Sequence, residues 1–141
     1  MNARTARIAA GAIAAGRVAG GLSFLVLPRR AGRSWVGATA DAPGFTALTR
    51  ALGVRDALIG VGGVEAIARG GKARPWLMAG AMSDAVDAIA TVLAWRQLPK
   101  PNRAVAVLVA GSAAVVGGYL ASKASATASI APAPLGAGRP S

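Results

Sequence analysis

The chain has 141 residues, 54% of them hydrophobic and only 15% charged, with a net charge of +11 and a mean hydropathy of +0.50. A soluble domain is nearer ~25% charged and must cover a large surface with polar groups, so the composition points to a one-domain integral membrane protein rather than an Ala-rich soluble helical bundle. With no Cys and no His, disulfides, thiolate chemistry, zinc fingers, His-ligated haem and His-based acid–base catalysis are excluded.

The first apolar segment, 6–27, is interrupted by Arg17 and Ser23 and stops at Pro28. About 20 residues of helix span the hydrocarbon layer, so it is long enough to cross. Arg4 and Arg7 resemble the start of a signal peptide, but the run is too long, and no clear cleavage site precedes Pro28. The connection 28–40 carries Arg29, Arg30, Arg33 and Trp35 and is placed along the headgroups. The second segment, 45–68, can be capped by Asp41 with Pro43 in its first turn. Its three charges, Arg55, Asp56 and Glu65, make it insert only where neighbours satisfy them. Glu65 has Arg69 one turn away, the spacing of an ion pair on one helix face.

The third segment, 75–95, has Trp76 and Trp95 at its two ends, the pattern of an aromatic belt. Trp35 joins them as an expected interface anchor. The fourth segment, 104–121, has no charge. The turn before it is short, so the last two segments should be antiparallel neighbours. The remainder, 122–141, is small, polar and Pro-rich, and is expected to be a disordered tail. The fold expected is therefore all-α: a four-helix integral membrane bundle over 1–121 with short loops. Small residues at four-residue spacing (Gly16 and Gly20; Gly62 and Ala66; Ala110, Ala114 and Gly118) are candidates for close helix approach.

Most cations flank the apolar segments, where they reach headgroups. The six aromatics do not alternate with basic residues, so the positive charge is read as membrane-facing and no nucleic acid partner is expected. Four crossings place both termini on one side, with Arg4, Arg7, Arg69, Lys72, Arg74, Lys123 and Arg139. The other side has Arg29, Arg30, Arg33, Arg50, Arg96, Lys100 and Arg103. The positive-inside rule does not choose between these equal sets, and the orientation stays open.

The candidate site is a layer of charges near mid-membrane: Arg17, Arg55, Asp56, Asp84 and Asp87. At about 100° per residue, Gly80, Asp84, Asp87 and Thr91 share one face of the third helix within about 60°. Each isolated charge at mid-membrane costs about 2.5–3.5 kcal/mol, so five would cost on the order of 12–17 kcal/mol unless paired. Such residues either fix helix register or line a polar cavity for a proton, cation or small ligand. Two carboxylates with two Arg nearby make a poor cation site, so no metal and no cofactor are expected.

Three motifs together carry a resemblance: R-x-x-x-G-x-x-F-L-x-x-P in the first helix from Arg17 to Pro28, R-x-L-G-x-R-D from Arg50 to Asp56, and D-x-x-D from Asp84 to Asp87. The chain from 17 to 121 resembles an uncharacterised family of small four-helix membrane proteins common in actinobacteria, similar in outline to DoxX-like proteins. The resemblance implies a four-helix membrane bundle and brings no established reaction. DoxX-like relatives are associated with quinone-linked redox complexes, for which this chain has no Cys or His.

Three functions compete. The first is an accessory or structural membrane protein, as a homo-oligomer or a subunit of a larger complex. The second is a proton- or cation-coupled small-molecule transporter acting as a dimer. The third is a membrane enzyme using Asp84 and Asp87 as acid and base, although no nucleophile accompanies them. The first is preferred, with the lipid bilayer of the cell membrane as the partner, no catalytic residue and no enzymatic activity.

Overall fold

The computed structural model describes residues 2–128. Among these the chain forms five helices and no strand: α1 (Ala3–Val26), α2 (Pro28–Val36), α3 (Pro43–Ala68), α4 (Arg74–Leu93) and α5 (Lys100–Ala128), with a 3₁₀ turn over Gly37–Asp41 between α2 and α3. Three stretches are long and apolar enough to cross a membrane: Arg4–Val26, Arg74–Leu93 and Asn102–Ala124. α3 has the length, with 26 residues, but carries Arg50, Arg55, Asp56 and Glu65.

Local chemistry sets the boundaries. Asn2 caps α1 by accepting from Thr5 N–H at 2.8 Å, satisfying one of the unpaired donors of the first turn. α1 ends because Pro28 forces the preceding Leu27 out of the helical region, to φ −122° and ψ 52°. α3 ends in a paired αL cap. Gly70 has φ +66°, its N–H donates to Ile67 O at 3.2 Å, and Gly71 N–H donates to Ala66 O at 2.7 Å, closing the free carbonyls of the last turn.

Several boundaries differ from the sequence reading. The connection 28–40 is not a loop: α2 fills most of it, burying Pro28 and Gly32 while Arg29, Arg30 and Arg33 stay exposed. The cap of α3 is Ala42, without a side-chain hydrogen bond. Asp41 instead accepts from Arg33 Nη2 at 2.7 Å and Nε at 3.0 Å. Trp95 lies in the turn beyond α4. α5 starts before 104 and runs past 121 to Ala128, so the first part of the expected tail, 122–128, is helix. Ala-rich sequence without a breaker lets the helix propagate there. The rest of that tail, 129–141, lies outside the described residues.

The helices associate as two pairs, α1 with α3 and α4 with α5, and the pairs touch each other less extensively. α1 meets α3 backbone to backbone. A Cβ at Gly21 would sit 2.5 Å from Ala57 N, one at Gly53 would sit 2.7 Å from Gly21 O, and one at Gly60 would sit 2.8 Å from Ala14 O. Small residues are what permit helices to pack where burial of apolar surface gives no drive. The pairs expected from spacing are different ones. Gly16, Gly20 and Gly118 face open space, and Gly62 lies under the Trp76 ring instead.

The distribution of apolar residues is inverted relative to a soluble bundle. Buried hydrophobic residues are few and mostly small, with one cluster of Ala10, Leu77, Leu120 and Ala121 at the end of the bundle near the N-terminus. Large ones point outward, including Leu93 at 81%, Val26 at 73% and Val115 at 72% exposure. So much outward-facing apolar surface on long helices suits lipid, not water.

Candidate functional site

Arg17 lies past the middle of α1, one turn before Gly21 and level with the close α1–α3 crossing. Its guanidinium leaves α1 toward both neighbours. Nη1 donates to Asp56 Oδ1 on α3 at 3.0 Å. Nη2 donates to Asp84 Oδ2 on α4 and to Gly80 O at 3.3 Å. Gly80 favours this arrangement, because a Cβ there would lie 3.0 Å from Arg17 Nε and the guanidinium would have to shift. The bare helix surface lets the planar guanidinium lie flat on α4 and reach carbonyl and carboxylate together.

Arg55 makes the second set of contacts. Nη2 donates to Asp87 Oδ2 at 2.7 Å and Nη1 to Asp87 Oδ1 at 3.3 Å, the two-pronged geometry that makes Arg–carboxylate pairs strong and specific. Nε approaches Asp56 Oδ1 at 3.3 Å. Asp56 Oδ1 therefore receives both cations, and the five groups form one chain of alternating charge: Asp84, Arg17, Asp56, Arg55, Asp87. Side-chain exposure is 11% for Arg17, 13% for Asp84, 16% for Asp87 and 17% for Asp56, while Arg55 at 32% is the most open member. Three carboxylates face two guanidiniums, so with every group ionised the layer carries one net negative charge.

The five charged residues of the candidate layer meet in this one network. The helical stripe on α4 explains why. Gly80, Asp84, Asp87 and Thr91 lie on one face, and Thr91 continues the network by donating to Asp87 O at 2.6 Å. Thr91 Oγ1 in turn accepts from Trp35 Nε1 at 3.2 Å. Ser83, between Gly80 and Asp84 on the same side of α4, holds a buried hydroxyl with no hydrogen-bond partner among the described residues. Beside Arg17 and Asp84 is a cavity of about 20 Å³, lined also by Trp76, Leu77, Ala113 and Gly117. That volume holds roughly one water molecule.

The three tryptophans divide. Trp35, expected as an interface anchor, is half-buried, tied to Thr91 and packed on Phe24 with ring centroids 6.5 Å apart. Its indole N–H finds a partner inside the bundle because α2 folds back against α1, α3 and α5, within reach of Thr91 on α4. Trp76 lies across Gly62 of α3 and is 40% exposed at the start of α4. Trp95, at the opposite end, carries the Arg103 guanidinium 4.7 Å above its ring, and Arg103 Nη1 donates to Trp95 O at 3.2 Å.

Sequence reasoning missed the glycines that bring the charges within reach: Gly21, Gly53 and Gly60. A signal exists in the spacing of Gly53, Ala57 and Gly60, which fall on one helical face adjoining the Arg55–Asp56 pair. Also missed was the clamp at the α2 end, where Asn102 Nδ2 donates to Arg33 O at 2.9 Å and Ser34 O at 3.1 Å. Among the described residues, no group of three or more His, Cys, Asp or Glu side chains is arranged to hold a metal ion. Glu65 pairs with Arg69 at 3.0 Å on an exposed face, as their spacing implied. Comparison of the chain with family models, with characterised proteins and with solved structures finds no match.

Proposed function

We propose that this chain is a multi-pass protein of the cell membrane with an accessory or structural role, in which α3 is a fourth crossing beside the three apolar helices. On this reading the alternating chain of Arg17, Arg55, Asp56, Asp84 and Asp87 stitches the α1–α3 pair to α4. The bilayer is the partner, the protein acts as a homo-oligomer or as a subunit of a larger membrane complex, and it neither binds nucleic acid nor catalyses a reaction. The likeness of its three motifs to small four-helix, DoxX-like membrane proteins is proposed with it.

One observation carries the reading: all five charges of the layer are paired with one another. Charges that meet in this way relieve each other of most of the insertion penalty while holding three helices in register. The adjoining cavity has room for about one water, which favours the structural reading over a transporter. The test is a set of charge swaps expressed in membranes. Arg17→Asp and Asp84→Arg alone should lose folded protein, and the two together should regain part of it. Asp84→Asn and Asp87→Asn variants as stable as the wild type would reject the structural role and turn attention to proton or ligand handling.

A further inference from the structure

The N-terminal start of α1, the turn between α3 and α4, and the far part of α5 meet at one end of the bundle around a cleft of about 730 Å³. Four cations line it: Arg7, Lys72, Arg74 and Lys123, and no acidic residue does. Its floor is apolar, with Leu77 and Leu120 buried beneath it at 5% and 4% exposure. The cations come from α1, the α3–α4 turn, α4 and α5, so only the folded bundle assembles them. Arg7 is held at the rim because its Nη2 donates to Ile67 O at 2.6 Å, leaving further N–H donors of the guanidinium free to serve a ligand. α4 begins at this cleft with no side-chain cap and no acidic residue in its first turn, so the positive end of its dipole adds to the field.

We infer that this cleft binds a phosphoryl anion, and specifically the headgroup of an anionic phospholipid, a reading that rests on the membrane location proposed above. A free anion needs only the cations. The apolar floor suits a ligand that continues into hydrocarbon, and basic recesses between spanning helices are where acidic headgroups settle. The groove at the opposite end, lined by Arg29, Arg30 and Arg50, is smaller at about 460 Å³, and Arg50 Nε is directed to Leu25 O at 3.4 Å.

The test uses the full chain in mild detergent, titrated with phosphatidylglycerol or phosphatidylcholine and read by native mass spectrometry. Phosphatidylglycerol should bind the more tightly. Lys72→Gln with Arg74→Gln should weaken it about thirtyfold, the loss expected for two surface cations acting on an anionic lipid. Both side chains are exposed, so this variant keeps the fold. Arg29→Gln with Arg30→Gln should leave binding nearly unchanged, and an equal loss there would mean diffuse attraction and overturn the site. Displacement of phosphatidylglycerol by inorganic phosphate supports recognition of the phosphoryl group. Binding of inorganic phosphate without preference between the two lipids overturns the lipid as source. Alkaline carbonate extraction separates the premise from the site. Protein released from membranes overturns both, whereas retained protein that does not distinguish the two lipids overturns the cleft alone.

Discussion

Replacing Arg17 with Leu tests the charge layer more sharply than any change to a carboxylate. Asp84 has Arg17 as its cation, so Arg17→Leu leaves a mostly buried carboxylate without a counter-charge and takes one of two cations from Asp56. Breaking a buried pair from one side costs about 3–5 kcal/mol. Asp56→Asn removes the residue that touches both guanidiniums, yet it should do less. The outer pairs Arg17–Asp84 and Arg55–Asp87 survive, the layer becomes neutral, and the Asn carbonyl still accepts. A loss of about 1.5–3 kcal/mol is expected, that of a hydrogen bond to a charged group. Arg17→Leu with Asp84→Leu removes both charges, and should recover most of what the single Arg17 change loses, as buried pairs exchanged for apolar residues often do. The assay is reversible unfolding of the purified protein in mixed micelles with increasing denaturing detergent. The reasoning is refuted if Asp56→Asn destabilises more than Arg17→Leu, or if the double variant is no better than the single one.

Gly60→Ala and Gly53→Ala should each destabilise by about 1–3 kcal/mol by forcing α1 off α3, whereas Gly20→Ala, facing open space, should be neutral or stabilise by up to about 1 kcal/mol; melting temperatures of the three decide it. Trp35→Phe should cost about 0.5–1.5 kcal/mol through loss of the bond to Thr91, and Thr91→Val should add little on top of it in the same melts, because the two share one interaction. The hydrogen bond from Arg33 holds the Asp41 carboxyl below its ordinary value of 3.8. A lowered folded value stabilises fully above the ordinary, unfolded value and loses its contribution as pH falls through the folded one. The wild type should thus melt slightly above Asp41→Asn at neutral pH, with the gap closing in acid; being fully exposed, the pair gives a small effect, and a gap that widens on acidification contradicts the assignment.

The helices were legible because apolar runs bounded by Pro, Gly and basic residues are strong punctuation, and the charge layer was legible because Asp84 and Asp87 recur at helical spacing on one face. What escaped was governed by partners distant in sequence. Gly16 and Gly20 have the same spacing whether or not a helix lies against them, and only the position of α3 decides that Gly21 is the residue in contact. Trp35 reads as an anchor because its chemistry suits an interface; that its indole N–H has a partner inside depends on α2 folding back across the bundle. The 28–40 stretch lacks an apolar run, so its helix shows only in an amphipathic pattern too short to stand out. Asp41 satisfies the rule for a helix cap, yet Arg33 competes for it and wins with two charge-assisted hydrogen bonds.

The alternating order of charges also bears on how such a protein is made. Synthesis delivers α1 first, with Arg17 and no counter-ion on that helix. α3 then brings Asp56 together with another cation, so the two helices hold two positive charges against one negative. Only when α4 emerges do Asp84 and Asp87 complete the set. α1 and α3 thus each depend on a helix not yet translated, and a nascent chain halted before α4 carries one unbalanced positive charge in this layer. The arrival of α4 is therefore the step at which the layer's cations all have partners.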